Sequence, residues 1–250
     1  MIQLTIIRIE GYGQWTVTLG SDREAQLQML QARIYHDVQR LFSERDSIVF
    51  FNRFDEYFAI TNGLSADDHR GIQRELTRLY DNMSMSMAIG TGKTAFEANL
   101  NAYRERKDTS RIPDSGSRIF GRGDQADVAQ IMHIDIDSSA KVGNWLSPFE
   151  VTALVMKVYS RLAEEFLKYN SLAFFLGGDN VMVISNGMAK EQADKVIKNV
   201  TAGIDVKLNC GIGIGKTGRR AAEAATMALD TIRDLRKEGK IQTIYEIQCP

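Results

Sequence analysis

The chain repeats itself, and the repeat restricts it to two structurally similar halves. FFNRFDEYFAITNG (Phe50 to Gly63) answers to AFFLGGDNVMVISNG (Ala173 to Gly187), with Asp55 on Asp179 and Asn62-Gly63 on Asn186-Gly187, both at an offset of 124. IGTGKT (Ile89 to Thr94) matches IGIGKT (Ile212 to Thr217) at an offset of 123. Upstream, Ile9-Glu10 aligns with Ile134-Asp135 at an offset of 125. Four landmarks in one order at nearly one offset describe a duplicated unit, each copy near the common domain size of about 100–150 residues.

Each half reads as the same string of elements. Gln3 to Ile9 is rich in β-branched residues and reads as a strand. Ser21-Asp22-Arg23-Glu24 has the spacing of a capping box, and Leu27, Leu30, Ile34, Val38 and Leu41 then recur at steps of three and four on one helical face. Short apolar strands at Ser47 to Phe51 and Tyr57 to Thr61 flank a turn, followed by a helix near Asp67 to Leu79, a strand at Met83 to Ile89 and a helix near Thr94 to Arg106. The second half repeats this from Val128, with a capping box and N1 proline at Ser147-Pro148-Phe149-Glu150 and a hairpin from Leu172 to Ser185. The order β-α-β-β-α-β is that of a ferredoxin-like, or palm, domain with an antiparallel sheet. The fold class is therefore α+β, with domains at 1–107 and 125–250 and a linker at 108–124 rich in Ser, Gly, Asp and Arg.

Thirty-one basic residues against 32 acidic ones, with no long single-sign run, leave no electrostatic footprint for nucleic acid. MIQLTIIRIE is too short to span a bilayer and no stretch of eighteen apolar residues exists, so no membrane partner is expected. Two cysteines, Cys210 and Cys249, offer no disulfide framework, and the cytoplasm is the expected compartment. With only three histidines and no closely spaced Cys/His set, protein-held zinc is not expected.

In a palm sheet the first strand lies beside the hairpin, so topology brings Glu10 toward Asp55 and Asp135 toward Asp179. Paired carboxylates at a sheet edge suit Mg²⁺, which takes one or two carboxylates plus substrate phosphates. Gly177-Gly178 would let the backbone approach a ligand, with Asn180 beside it. Gly11, Tyr12, Gly13, Trp15 and Thr16 form a loop before the capped helix, where N–H groups can meet phosphate and Arg23 can assist; a plain turn over core aromatics is the competing reading. The GKT segments lack the Walker glycine, since Met87 and Cys210 stand there. Lys93 reads as a solvated turn, and Lys216 stands open as a phosphate contact. His133 and Asp137 share a strand face with Asp135, as site groups or as satisfied structural ones.

IEGYGQWTVT, SDREAQLQMLQARIY, FFNRFDEYFAITNG, FFLGGDNVMVISNG and GIGIGKT together resemble archaeal GTP cyclohydrolase III in order and spacing, over nearly the whole chain. The resemblance implies tandem palm-like domains akin to nucleotidyl cyclases and polymerase palms. It implies Mg²⁺ with a monovalent cation such as K⁺, GTP as substrate, and an opened formylamino-pyrimidine ribosyl phosphate as product, for flavin or deazaflavin synthesis. The chain departs from the family pattern at Glu10-Gly11, at Gln14 and at Glu56, where the family usually has Asp-Asn, Pro and Asn.

Two other readings stand beside it. A diguanylate-type cyclase would share Gly177-Gly178-Asp179, but wants an acid where Asn180 is. A non-enzymatic nucleotide sensor would keep binding without turnover. An exposed sheet edge also makes a homo-oligomer an expectation.

Overall fold

The computed structural model describes residues 1–81, 83–108, 118–123, 126–137 and 146–249. Contacts divide the chain into two compact units: residues 2–92 with 98–127, and residues 128–250 with Met1 and Lys93–Glu97.

The first unit runs β1 (Ile2–Glu10), α1 (Tyr12–Val17), α2 (Glu24–Ser43), β2 (Ile48–Arg53), β3 (Glu56–Ile60), α3 (Ala66–Leu79), β4 (Ser84–Gly92), α4 (Ala95–Lys107) and β5 (Ile119–Phe120). Its sheet has the order β2-β3-β1-β4-β5. Ile7 and Ile9 of β1 pack with Ile34, Val38 and Leu41 of α2 and Ile72 of α3. Ile34, Val38, Leu41 and Phe42 are fully buried, at about 1.5–3 kcal/mol each. Tertiary burial therefore holds α2 more than its own propensity does. The expected capping box at Ser21 does not form, because the helix starts two residues late and Glu24 becomes its first residue rather than its third.

The second unit runs β6 (Ala129–Asp137), α5 (Pro148–Leu167), β7 (Leu172–Gly177), β8 (Asn180–Ile184), α6 (Lys190–Thr201), β9 (Lys207–Gly215), α7 (Gly218–Lys237) and β10 (Ile244–Gln248), with sheet order β7-β8-β6-β9-β10. Here the capping box forms as expected: Ser147 N–H donates to Glu150 Oε2 at 2.7 Å, with Pro148 at N1. Met132, Ile134 and Ile136 face α5 and α6. On the opposite face α7 lies almost on the backbone, since a Cβ at Gly213 would fall 2.1 Å from Ala221 O and 2.2 Å from Ala225 N.

The sheets are mixed, which corrects the antiparallel expectation. β5 runs parallel to β4, and β10 parallel to β9. Each of these edge strands follows a helix, and a helical crossover returns the chain in its starting direction. β5 also falls inside the expected linker; residues 109–117 and 124–125 of that segment lie outside the described residues.

The strand registers revise one landmark of the repeat. Leu4 pairs with Ile60 and Gly90, while Ile131 pairs with Ile184 and Gly213. The first strand is thus offset by 127 residues, not 125. Gln3 and Gln130 confirm it: their N–H groups donate to Asn62 Oδ1 at 2.9 Å and to Asn186 Oδ1 at 3.0 Å. Consequently Arg8, not Glu10, corresponds to Asp135, and Glu10 corresponds to Asp137.

Candidate active site

The first unit carries a cleft of about 640 Å³ between α1, α2 and β2, within the usual range of about 300–1,000 Å³ for small-molecule sites. Tyr35, Phe51 and Phe54 form an aromatic wall, with ring centroids 5.8 Å apart for Tyr35–Phe51 and 5.1 Å for Phe51–Phe54. Phe54 is 49% exposed, so a ring face is available to a ligand. Tyr12, whose hydroxyl accepts a hydrogen bond from Gln31 Nε2, and Arg23, whose Nη1 donates to Gly20 O at 3.0 Å, add polar groups to the same lining. Thr16, Gln28 and Glu24 complete it.

Tyr12, Thr16 and Arg23 thus line one cleft. Tyr12 and Thr16 sit on a six-residue helix rather than a loop, entered through Gly11 at φ 65°, and Arg23 is the N-cap residue of α2. Gly13 is exposed within that helix, and Trp15 turns toward a separate hollow lined by Leu30 and Tyr80. Tyr35, Phe51, Phe54, Gln28 and Gln31 were not foreseen as site residues. The aromatic run in FFNRFDEYF was the available signal, and it reads equally well as core.

At the hairpin end of this sheet the acids are already matched by arginines. Glu10 Oε1 accepts from Arg106 Nη2 at 2.8 Å and from Ser86 Oγ at 2.5 Å. Arg53 lies 3.2 Å from Asp55 and 3.6 Å from Glu56. With Arg8 in the position of Asp135, Glu10 is not the register counterpart of that acid, and both Glu10 and Asp55 are paired with arginines.

The second unit differs. Asp135 stands in register with Asn180 and Asn209, and Asp179 O accepts from Ile136 N–H at 2.9 Å, so the hairpin turn abuts the strand between Asp135 and Asp137. Among the described residues Asp135 receives only long contacts, 3.3 Å from Asn209 Nδ2 and 3.5 Å from Arg233. Asp137 pairs with Arg236 at 3.1 Å. Asp179 Oδ1 accepts from Asn180 Nδ2 at 2.7 Å, and Asn180 Oδ1 accepts from His133 Nε2 at 2.9 Å. Burial holds His133 below the usual imidazole range, so the neutral ring acts as a bracket for the asparagine rather than as an acid. Among the described residues no three His, Cys, Asp or Glu side chains gather as a metal cage. A carboxylate pair without a third ligand is the donor set of an ion completed by water and phosphate, as Mg²⁺ is, and the pair Asp135 and Asp179 fits it.

Gly177 and Gly178 take φ values of 109° and 61° at the hairpin turn, which explains both glycines by backbone need. Lys216 does not join them. It follows Gly215, the partner of Ala129, six residues and roughly 20 Å along β6 from Asp135. Lys93 N–H donates to Glu97 Oε2 at 2.7 Å, a helix-start contact. Cys210 is buried and its thiol is pushed up to about 12, which keeps it protonated and unreactive. No helix among the described residues is long and apolar enough to cross a membrane.

Two α+β units, one with an aromatic-walled cleft of small-molecule size and one with Asp135 and Asp179 at the hairpin end of its sheet, define a two-sheet, mixed-strand protein of the small-molecule enzyme class. Comparison with known proteins narrows this. The sequence model of GTP cyclohydrolase III matches residues 1–246. The chain is 37% identical over 255 residues to GTP cyclohydrolase III of Methanocaldococcus jannaschii, covering 98% of this chain and 93% of that protein. It is 37% identical over 238 residues to that of Methanothermobacter thermautotrophicus (93% and 95%), and 34% over 270 residues to that of Methanococcus maripaludis (100% of both). A solved GGDEF domain of PA1120 from Pseudomonas aeruginosa is similar at a TM-score of 0.39 and 16% identity, over 50% of this chain and 84% of that one, too weakly to bear on chemistry. The chain belongs to the GTP cyclohydrolase III family and is an enzyme of this type.

Proposed function

We propose that the chain opens the imidazole ring of GTP by hydrolysis. Water adds at C8 of the guanine, its oxygen becomes the formyl oxygen, the C8–N9 bond breaks, and N9 takes up a proton. The formyl group stays on N7, and two further waters hydrolyse the two phosphoanhydride bonds of the triphosphate, each releasing one inorganic phosphate, which leaves 2-amino-5-formylamino-6-(5-phosphoribosylamino)pyrimidin-4(3H)-one. The observation that carries this reading, beside family membership, is the aromatic cleft of the first unit. Its rings suit stacking on a purine, worth about 1–3 kcal/mol per base, and its amide side chains suit the purine's polar edge.

Asp135 and Asp179 would hold Mg²⁺, which when bound neutralises phosphate charge and lowers the pKa of water. Asn180 fixes the Asp179 carboxylate, and His133 fixes Asn180, so the pair is oriented before substrate arrives. Arg23 offers a fork of donors to phosphate. K⁺ and a homo-oligomer are further parts of the proposal, read by the cation dependence of turnover and by light scattering. The two halves are read as copies of one ferredoxin-like (palm) unit, supported by their matching strand orders.

The test is mass spectrometry of the products after chelator-treated protein is incubated with GTP, Mg²⁺ and K⁺. A species with water added, the formyl group retained and phosphate lost is expected. Cyclic nucleotide, or GTP recovered intact, would overturn the reading.

A further inference from the structure

Arg40, Arg45, Arg53, Arg70 and Arg106 of the first unit each form an ion pair with a carboxylate. Arg74, Arg78 and Arg118 do not: among the described residues none of these three side chains makes a hydrogen bond or ion pair. They share one place instead. All three line a cavity of about 530 Å³ beside the start of β4, which has no lining residue in common with the aromatic cleft.

Two elements of the same unit build this cavity. Arg74 and Arg78 are one turn apart on α3 and so stand on one helix face. Gln73 Nε2 donates to Met85 O at 2.7 Å, which ties this stretch of α3 to β4. Arg118 comes from the entry to β5, where its carbonyl accepts from Met87 N–H at 2.9 Å. The neighbouring acids on α3 are engaged elsewhere, Glu75 with Arg45 at 3.5 Å and Asp67 with Arg70. Asp81 lines the cavity too, yet it pairs with none of the three arginines.

Three positive charges therefore face one cavity against a single carboxylate. The negative end of the helix dipole favours Arg78, in the last turn of α3. It accounts neither for Arg74, a turn earlier, nor for Arg118, which is not on a helix. A dianion would neutralise the excess, and a phosphate group is largely dianionic above its second pKa of about 6. Guanidinium forks match phosphate oxygens and stay charged at any working pH. The volume, within the range of about 300–1,000 Å³ usual for small-molecule sites, leaves room for more than the bare ion.

We propose that Arg74, Arg78 and Arg118 form a binding site for a phosphate group, free or carried as a small monoester, separate from the aromatic cleft and from Asp135 and Asp179. It does not depend on the reaction proposed above.

The test is titration calorimetry of the full-length protein at pH 8 and constant ionic strength, in chelator, with inorganic phosphate, ribose 5-phosphate and chloride. Wild type is compared with Arg74→Gln/Arg78→Gln, Arg118→Gln, Arg118→Lys and Arg23→Ala. Loss of charge-assisted hydrogen bonds predicts phosphate affinity lowered about tenfold or more in both glutamine variants. Those variants should keep the wild-type Tm, since the three arginines are exposed. Arg118→Lys, which keeps the charge and loses the fork, should bind with intermediate affinity, and Arg23→Ala, altered only in the aromatic cleft, should bind as wild type does. Tighter binding of ribose 5-phosphate would make the occupant a monoester, and tighter binding of inorganic phosphate would make it the free ion; either supports the site. Wild type that binds neither would overturn the assignment, as would unchanged affinity in both glutamine variants, loss of binding in Arg23→Ala instead, or displacement of phosphate by equimolar chloride.

Discussion

Glu10 and Arg106 form an ion pair of 2.8 Å at the end of the first sheet's central strand, while Asp135 of the second sheet meets its nearest described arginine only at 3.5 Å. The tighter pair is structural and the looser acid is available. Glu10→Gln should therefore cost no more than about 1 kcal/mol of stability, as a partly exposed pair does, and keep turnover within about twofold. Asp135→Asn should lower turnover at least about 100-fold, since even outer-shell changes at metal sites cost about 10–100-fold. Steady-state kinetics across a Mg²⁺ series checks both. Equal losses in the two variants would contradict the assignment.

Asn180 is expected to act through its neighbour. It donates to Asp179 at 2.7 Å and accepts from His133 at 2.9 Å. Asn180→Ala should raise the Mg²⁺ concentration for half-maximal rate by about 10–100-fold with a smaller change in the GTP KM. A shift confined to KM would move Asn180 from positioning the acid to contacting substrate.

Phe54 is half-exposed at the mouth of the cleft and packs edge-on against Phe51. Phe54→Ala should leave thermal stability nearly unchanged, because the ring is largely solvated. It should raise the KM for GTP by roughly 5–100-fold, the equivalent of one stacking contact. A drop in Tm without a change in KM would make Phe54 a packing residue.

Gly213 has no room for a methyl group. Its Cβ would meet backbone atoms of α7 at 2.1 and 2.2 Å, so the helix itself must shift. Gly213→Ala should cost about 1–3 kcal/mol, lowering Tm by roughly 2–4 °C for each kcal/mol. Calorimetry that finds wild-type Tm would show that α7 sits farther from β9.

Acid should destabilise the protein through the buried His69 and the partly buried His133. Burial lowers the pKa of His69 and of His133 from the ordinary imidazole value. In both, the unfolded state binds the proton more readily, so stability is full above the unfolded pKa of about 6.5 and is lost as pH falls toward the folded value. Each contributes up to about 1.4 kcal/mol per pH unit in that window. Denaturant midpoints should be unaffected by these groups between pH 7 and 8 and fall below pH 6.5. Nitrogen NMR should find the His69 ring taking up its proton at a lower pH than a free imidazole, its neutral form donating from Nδ1 to Ser65 O at 2.7 Å and accepting at Nε2 from Thr5. A His69 ring that protonates at the pH of a free imidazole or above would refute the account.

The helix and strand periods and the cap at Ser147 are local properties, and a chain read residue by residue contains them, as it contains the matching segments around Asp55 and Asp179. Asp55 and Asp179 could be matched from sequence because their flanks, Asn-Gly and the apolar strands, admit one alignment. Ile134-Asp135-Ile136-Asp137 admits two. A shift of two residues keeps every side chain on its face, since the strand period is two, so hydrophobic pattern alone cannot choose between them. Only the cross-strand hydrogen bonds of Gln3 and Gln130 decide it, and that decision sets Arg8 against Asp135. Tertiary structure likewise decided that Lys216 lies at the far end of its sheet, that the edge strands run parallel, and that Phe51 and Phe54 line a cleft instead of filling a core. Each depends on which strand lies beside which, a relation between segments distant along the chain.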